Sequence, residues 1–192
     1  MTTQTKVRYT PEEYLVLERK SEHKSEYFGG EIFAMSGASE RHNLVVTNLV
    51  RELSLQLKGR PCKTYSSDMR VKVAPTGLYT YPDVMVVCDK TLFDDEQEDT
   101  LLNPSVIIEV LSKSTEGYDR GEKFAHYRKL ESLTDYLLVS QTKHRVEHYV
   151  RQPDNQWLLS ETEGLENTLP IGSINCVLSL AEVYDKVEMS TA

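Results

Sequence analysis

The stretch PSVIIEVL (residues 104–111) decides the fold, because it is almost continuously apolar and a single carboxylate, Glu109, interrupts it. An apolar run of this length is typical of a central strand that is covered on both faces. Burying an unpaired carboxylate costs so much free energy that such a group is normally neutralised, paired or bound to a metal. We therefore expect a cation to face Glu109.

A second carboxylate, Asp83, stands directly before another apolar run at 84–87, within a strand predicted over 81–88. If this strand neighbours the Glu109 strand, the two carboxylates converge. Two convergent carboxylates and a lysine are what metal-assisted phosphodiester hydrolysis requires. Hard oxygen ligands hold Mg²⁺, for which Mn²⁺ substitutes, while the lysine orients the attacking water or neutralises charge in the transition state.

The rest of the chain predicts an α/β sandwich with a mixed sheet flanked by helices, preceded by an N-terminal helix and a β-hairpin. TPEE (10–13) is a capping box with proline at the first helical position, and Gly29-Gly30 suits a two-residue hairpin turn. From periodicity and turn residues we further expect a helix from an N-cap at Ser39 to Gly59, followed by one strand over 64–73 and a turn at 75–77. A second helix, capped by Ser114 or Thr115, carries Phe124, Tyr127 and Leu130. After it we expect a strand over 136–139, a hairpin of 145–150 with 156–160, and a terminal helix over 180–187.

The length of 192 residues fits one domain. We predict a single domain over 1–192, with a core at about 39–140, an N-terminal helix and hairpin at 10–36, and a C-terminal hairpin and helix at 144–187.

The net charge of -8 argues against indiscriminate binding to phosphate backbones, because nonspecific nucleic-acid affinity comes mainly from Lys and Arg. Any nucleic-acid contact should therefore be local, metal-assisted, or both. No apolar run approaches the length of a membrane helix, and residues 1–8 lack a signal-peptide apolar region, so a cytoplasmic location without membrane contact is expected. The acidic stretch 94–99 predicts a solvated loop.

Cys62, Cys88 and Cys176 are far apart and form no Cys/His ligand pair, so neither a disulfide framework nor a structural zinc site is indicated. They are expected to be buried small hydrophobes. His144 and His148 share a face of a predicted strand, but no third ligand is nearby in sequence. No nucleotide-binding, serine-hydrolase or zincin motif occurs.

Several blocks of sequence resemble, in order, the successive blocks of the Uma2 family (DUF820), which belongs to the PD-(D/E)xK nuclease superfamily. These blocks are EYFGGE (26–31), YPDV (81–84), IIEVLS (107–112) and DRGEKF (119–124), followed by YR (127–128). The resemblance implies a restriction-endonuclease-like core with Asp83 and Glu109 as metal ligands. It also implies that Glu26 is an additional acidic residue near the site.

The sequence departs from the superfamily signature at Leu111, which stands where the lysine of the ExK motif belongs. In Uma2-like sequences the lysine lies in the following helix, and Lys123 matches that position. Lys113 is a rival, because strand alternation places it on the same face as Glu109. Lys123 is our preferred catalytic lysine.

Each assignment has a structural alternative. Asp83 could cap a turn, and Glu109 could pair with a buried cation as a structural salt bridge. Lys123 lies four residues after Asp119 and could form a surface pair with it, and Glu26 could be a surface charge of the hairpin. His42, early in the long helix, is a secondary candidate that could reach the cleft or a phosphate.

The first hypothesis is a Mg²⁺-dependent endonuclease acting on nucleic acid, with DNA as the expected substrate. Asp83 and Glu109 bind the metal, Lys123 supports the attacking water, and Glu26 assists the placement of the metal or the water. A homodimer is expected by analogy, because duplex cleavage by such cores usually needs two copies. The competing hypothesis is a noncatalytic interaction module that kept the fold, since fold alone does not fix function.

Overall fold

A computed structural model describes residues 7–189 as two large β-sheets and a small two-stranded sheet, flanked by helices. The strands are β1 (Ser25–Phe28), β2 (Glu31–Ala34), β3 (Cys62–Ser66), β4 (Arg70–Val73), β5 (Leu78–Thr80), β6 (Val84–Cys88), β7 (Thr100–Leu101), β8 (Val106–Leu111), β9 (Asp135–Ser140), β10 (Arg145–Arg151), β11 (Trp157–Glu163), β12 (Thr168–Ile171) and β13 (Cys176–Ser179). The helices are α1 (Pro11–Glu18), α2 (Glu40–Gln56), α3 (Glu116–Tyr118), α4 (Phe124–Tyr127) and α5 (Leu180–Val183), with a π-helical turn at Asp119–Lys123 and a 3-10 turn at Gly172–Ile174.

The six-stranded sheet has the order β11-β10-β9-β8-β6-β3. Strand β8 runs parallel to β9, and the other neighbouring pairs are antiparallel. Strand β6 lies beside β8 with Val84 opposite Ile108. The predicted adjacency of the two apolar strands is therefore confirmed, and it places Asp83, one residue before β6, next to Glu109.

The two faces of this sheet contribute to different hydrophobic cores, because successive side chains of a strand point to opposite faces. Ile108 and Val110 of β8 pack with α2, α5 and the β12–β13 hairpin. Ile107 and Leu111 pack on the other side, against α4 and the five-stranded sheet. Alternation places Glu109 on this second side, so the carboxylate lies between two sheets rather than under the long helix.

The five-stranded sheet has the order β2-β1-β5-β4-β7, and the segment 81–83 connects its strand β5 to β6 of the larger sheet. Helix α1 begins at the predicted capping box, in which the Thr10 hydroxyl accepts from the Glu13 amide and the Glu13 carboxylate accepts from the Thr10 amide. The mixed α/β architecture and the β1–β2 and β10–β11 hairpins are confirmed.

The helix predictions are confirmed in part. Helix α2 begins after Ser39, whose side chain accepts from the backbone of His42. The helix after β8 is broken: α3 has three residues, Thr115 makes no side-chain capping bond, and a π-helical turn follows. The predicted terminal helix over 180–187 was wrong in length, because α5 ends at Val183.

The single strand predicted over 64–73 was wrong. The segment forms β3 and β4, which belong to different sheets, with a turn at 67–69 in which the Met69 amide donates to the Ser66 carbonyl. The alternation of polar and apolar residues continues through the turn, and no Gly or Pro marks the break. The predicted strand over 81–88 likewise begins only at Val84. Strands β5, β7, β12 and β13 were not predicted.

The interpretation of the cysteines was wrong for two of them. Cys62 of β3 and Cys88 of β6 are directly opposite in register and form a disulfide. Their separation of 26 residues in sequence gave no sign of this pairing, which depends on the adjacency of the two strands. Cys176 is a free and buried thiol, as expected.

The acidic segment 94–99 is only partly the solvated loop that its charge predicted. Asp94, Asp95 and Asp99 form ion pairs with lysine and arginine side chains of the five-stranded sheet and α1. Among residues 7–189, no helix has the length and apolar character needed to cross a bilayer.

Candidate active site

A cleft of about 700 Å³ opens between the β1–β2 hairpin, the first turn of α2, the adjacent ends of β6 and β8, and the broken helix after β8. Among its lining side chains are four carboxylates and one lysine, which we call the cleft cluster: Glu26, Asp83, Glu109, Asp119 and Lys123. The cluster comes from four separate segments of the chain, because Asp119 and Lys123 share one π-helical turn. It includes all four residues that the sequence singled out as catalytic.

Glu109 lies at the floor of the cleft and is 3% exposed. Its Oε1 accepts two hydrogen bonds or ion-pair contacts, from the Tyr127 hydroxyl at 2.8 Å and from Lys123 Nζ at 2.9 Å. Its Oε2 has only a long contact of 3.4 Å with the backbone amide of Asp83. One oxygen of this carboxylate is therefore firmly held, and the other is nearly unsatisfied.

Asp83 shows the same asymmetry. Its Oδ2 accepts from the backbone amide of Val110 at 2.8 Å and contacts Nε2 of His42 at 3.1 Å. Its Oδ1 accepts no hydrogen bond from residues 7–189. Asp83 and Glu109 thus each present one anchored oxygen and one oxygen without a strong donor.

Lys123 is the cation that the apolar strand predicted for Glu109. It is 5% exposed, and its Nζ also lies 3.5 Å from Glu26 Oε1 and 3.5 Å from Asp119 Oδ1. Asp119 and Lys123 begin and end the π-helical turn, and both are buried. A π-helical turn inserts an extra residue into a helix and is frequent at functional sites. Here the turn carries two charged side chains into the protein interior.

Glu26 lies on β1, with a side chain that is 13% exposed. It accepts a short hydrogen bond from the Thr80 hydroxyl of the neighbouring strand β5. The alternative of a surface charge on the hairpin is therefore wrong, and the side chain points into the cleft.

The charges of the cleft cluster do not balance, since four carboxylates face one ammonium group. Burial raises the pKa of Glu109, although Lys123 opposes the rise, and the nearby carboxylates of Asp119 and Asp83 add to it. Burial likewise raises the pKa of Asp119. Burial alone would lower the pKa of Lys123, but attraction to Glu109, Asp119 and Glu26 raises it, so the lysine stays charged.

The structure separates the two rival lysines. Lys113 is exposed and does not line the cleft, whereas Lys123 contacts Glu109 directly. The alternative of an i,i+4 pair between Lys123 and Asp119 is correct as geometry, but the pair is buried rather than on the surface. Lys123 also makes the buried pair with Glu109 that the structural alternative required, so the lysine contact by itself does not separate catalysis from stability.

Sequence reasoning did not select Asp119 and Tyr127 as site residues. Both lie in or after the DRGEKF block, and the i,i+4 spacing of Asp119 and Lys123 was the available signal for the first. Tyr127 appeared as a core residue of the helix, and only the structure shows its hydroxyl donating to Glu109. His42 is brought to Asp83, as its position early in α2 allowed.

The residues present fit a hard divalent cation. The nearly unsatisfied oxygens of Asp83 and Glu109, in a cluster with excess negative charge, are the donor type that Mg²⁺ prefers. Within residues 7–189, no three His, Cys, Asp or Glu side chains are grouped so as to enclose a metal ion. Mg²⁺ is usually held by one or two carboxylates together with water and substrate phosphate.

The two histidines that share a strand face do not form a metal site. His148 is buried, and its Nε2 lies 2.7 Å from Asp135 Oδ1, while Asp135 also accepts from the Ser173 hydroxyl. His144 packs its ring against Tyr184. The weak zinc interpretation is therefore replaced by a structural pair and a ring contact.

Comparisons with known proteins agree with this architecture. The model of the Uma2 family, described as "Putative restriction endonuclease", matches residues 11–181. Two uncharacterized proteins of Synechocystis sp., sll1609 and slr1290, are 44% identical over 155 residues and 36% identical over 177 residues. These alignments cover 81% and 92% of this chain and 88% and 92% of the relatives.

A crystal structure described as a putative nuclease belonging to DUF820, from Anabaena variabilis, superimposes with a TM-score of 0.76 at 19% sequence identity. The match covers 92% of this chain and 98% of that chain. At this identity the likeness shows a shared fold. It confirms the fold that the sequence blocks implied.

Proposed function

The chain belongs to the Uma2 family (DUF820), whose description supports a nuclease role, and from this we propose that it is a Mg²⁺-dependent endonuclease that hydrolyses phosphodiester bonds of DNA. Family membership supports a hydrolase acting on nucleic acid. The metal, the substrate form and the roles of individual residues are the parts that we propose.

The observation that supports the proposal most strongly is the matched asymmetry of Asp83 and Glu109. In each carboxylate one oxygen is held by two donors, and the other lacks a strong donor. Both residues line the cleft, and these two oxygens therefore keep capacity to accept a ligand that enters it. A divalent cation held by Asp83 and Glu109 would supply the positive charge that these oxygens lack.

The roles of the side chains follow from their contacts. Asp83 and Glu109 would hold Mg²⁺, which supplies polarisation of the phosphoryl oxygen and makes a nearby water more acidic. Lys123 places a permanent positive charge beside Glu109, where it offsets the negative charge that develops on the phosphate. Glu26 and Asp119 each lie 3.5 Å from the lysine ammonium and help to hold it in place.

The charge of the protein limits how it meets DNA. With a net charge of -8 and an acidic cleft, attraction to the phosphate backbone has to come through the bound cation and through local contacts. The proposal therefore includes strict dependence of DNA binding at the cleft on divalent metal. A homodimer is proposed for cleavage of both strands of a duplex, because each chain offers one cleft cluster.

The proposal is tested by isothermal titration with Mn²⁺ and Mg²⁺ together with a plasmid-nicking assay. Wild type is compared with Asp83→Asn and Glu109→Gln, and Asp99→Asn serves as an acid-to-amide control outside the cleft. Metal binding and nicking should both disappear in the two cleft variants and remain in the control. Wild-type protein that binds no metal and cuts nothing would instead establish the noncatalytic interaction module.

A matched pair of lysine variants tests which lysine is catalytic. Lys123→Met should abolish nicking, whereas Lys113→Met, at the exposed rival, should leave it unchanged. The reverse result would assign the catalytic lysine to Lys113. Supercoiled plasmid, single-stranded circular DNA and RNA, offered to the same preparation, decide the substrate form.

A further inference from the structure

His42 is a cleft residue whose contacts serve a neighbouring side chain. Its Nε2 lies 3.1 Å from Asp83 Oδ2, and the side chain is 14% exposed. Its other ring nitrogen, Nδ1, is buried and has no hydrogen-bond partner among residues 7–189. Resting on the proposed function, we infer that His42 is a positioning residue that holds Asp83 by Oδ2 and so directs Oδ1 towards the metal position.

The tautomer of the ring follows from the two nitrogens. Imidazole has one N–H and one bare nitrogen when it is neutral, and both nitrogens carry protons when it is charged. A proton on Nδ1 would leave a buried N–H donor without an acceptor, which would destabilise the folded protein. With its proton on Nε2, the ring donates to Asp83 and carries no hydrogen on Nδ1 that would need an acceptor.

Asp83 needs this donor because of its place in the chain. It lies one residue before β6, so its own strand pairing does not fix its side chain. The remaining anchor of Oδ2 is the backbone amide of Val110, at 2.8 Å. One bond leaves a carboxylate free to turn about its last side-chain torsion, which is broad for aspartate. With both His42 and the Val110 amide on Oδ2, the carboxylate no longer turns freely, and the direction of Oδ1 is fixed.

The position of His42 is itself fixed relative to the Glu109 strand. The Ser39 hydroxyl accepts from the His42 amide at 3.3 Å and donates to Gln141 Oε1 at 2.7 Å. The Gln141 side-chain amide then donates to the Leu111 carbonyl at the end of β8, at 2.8 Å. The first turn of α2 is thereby tied to the same strand that carries Glu109. His42 links the positions of the two carboxylates.

Tyr127 occupies the equivalent place at Glu109. Its hydroxyl donates to Oε1, the same oxygen that Lys123 contacts, and its ring is fully buried in the core. Tyr127 and His42 differ in surroundings, but each donates to the anchored oxygen of its carboxylate. The other oxygen, which lacks a strong donor, remains available to the metal. Hydrogen bonds of this kind to metal-binding side chains raise metal affinity by about 10- to 100-fold.

The test measures Mn²⁺ affinity by calorimetry in full-length wild type, His42→Leu and His42→Gln. The leucine variant removes the donor, whereas glutamine can place an amide N–H near the position of Nε2. We expect His42→Leu to weaken Mn²⁺ binding about 10- to 100-fold without lowering the melting temperature, and His42→Gln to recover most of the loss. His23→Leu, at an exposed histidine on the cleft rim, is the matched control for adventitious binding and should bind as wild type does.

Nitrogen NMR of the imidazole groups of the wild-type protein supplies a second readout that needs no destabilising substitution. In metal-free protein, Nε2 of His42 should be protonated, and its signal should shift in Asp83→Asn. Addition of Mg²⁺ should leave the tautomer unchanged, since a positioning residue does not become a ligand.

The outcomes separate this inference from the function on which it rests. Equal Mn²⁺ affinity in wild type and folded His42→Leu overturns the positioning role and leaves the proposed nuclease intact. A proton on Nδ1, or loss of the Nε2 proton when Mg²⁺ is added, also overturns it. Wild-type protein that binds neither cation overturns the proposed function and this inference together.

Discussion

Two clusters of charged side chains in this protein treat their carboxylates in opposite ways. The first is the cleft cluster. The second, which we call the loop cluster, joins the acidic segment 94–99 to α1 and the five-stranded sheet and consists of Arg19, Arg70, Lys72, Asp94, Asp95 and Asp99.

The loop cluster balances three cations against three carboxylates. Asp99 accepts from Arg19 at 2.7 Å and 2.9 Å and pairs with Arg70 at 2.9 Å. The Arg19 hydrogen bonds, despite partial burial, hold the pKa of Asp99 well below its ordinary value. In the cleft cluster the shift of Glu109 has the opposite sign, because burial and neighbouring carboxylates outweigh one lysine. The loop cluster is therefore balanced within the chain, whereas the cleft cluster has an excess of carboxylates that the proposed Mg²⁺ would offset.

The largest expected effect comes from removing the only cation of the cleft cluster. Lys123→Met should destabilise the metal-free protein by about 3 to 5 kcal/mol at pH 8, because uncompensated buried carboxylates remain. The wild-type lysine, with a raised pKa, contributes its stability at every pH below its ordinary value of 10.5. The loss should be smaller at pH 5, where the carboxylates take up protons at less cost. Urea unfolding at both pH values measures it.

Lys113→Met is the control, and as an exposed substitution it should change stability by less than about 0.5 kcal/mol. A Lys123→Met loss that is the same at pH 5 and pH 8 would contradict the charge imbalance and indicate lost packing instead.

Metal addition should distinguish the clusters next. Mg²⁺ at 100 times its dissociation constant should stabilise wild type by about 2.7 kcal/mol, which for a chain of this size raises the melting temperature by roughly 5 to 10 °C. The rise should be absent in Glu109→Gln and intact in Asp99→Asn. Thermal unfolding with and without EDTA measures it. A rise that persists in Glu109→Gln would place the metal elsewhere.

Replacing a carboxylate by its amide should change the free energy of unfolding in opposite directions in the two clusters. Asp99→Asn should destabilise by about 1 to 2 kcal/mol at pH 7, after allowance for the exposure of the carboxylate. Because the pKa of Asp99 is lowered in the folded state, its contribution is present above its ordinary value of 3.8 and is lost as the pH falls. Denaturation of this variant and of wild type from pH 7 down to pH 3 should show the difference shrinking.

Glu109→Gln should instead stabilise the metal-free protein. The pKa of Glu109 is raised in the folded state, so its contribution is full below its ordinary value of 4.5 and is lost as the pH rises. The gain from glutamine should therefore be absent near pH 4 and grow towards pH 8. Urea titrations in EDTA measure it, and a destabilised Glu109→Gln at pH 8 would make Glu109 a structural partner of Lys123.

The smallest effect is expected at the exposed edge of the loop cluster. Asp95 contacts Arg19 at 2.6 Å, but its side chain is 37% exposed, and such pairs contribute about 0 to 1 kcal/mol. Asp95→Asn should change the free energy of unfolding within that range, and the difference should fall further in 1 M salt. A loss of stability larger than about 1 kcal/mol that does not change with salt would contradict this and would show that the Asp95–Arg19 pair is shielded from solvent.

Much of the local structure was predictable, because its signals lie within a few residues of one another. The capping box at Thr10, the N-cap at Ser39 and the hairpin at Gly29-Gly30 were all confirmed. The strand with Glu109 was predictable for the same reason, and its burial predicted a cation. The split between β3 and β4 was not predictable, since the alternation of polar and apolar residues runs on through the turn.

The sequence by itself predicted that Asp83 directly precedes one apolar strand, that Glu109 interrupts another, and that a cation faces the buried Glu109. The resemblance of the DRGEKF block favoured Lys123 over Lys113, but only the tertiary structure shows that a π-helical turn brings Lys123 to Glu109. It alone also brought His42 to Asp83 and Cys62 to Cys88. Local periodicity records which side chains are buried, whereas the partners of a buried group are set by strand order and packing between segments far apart in the chain.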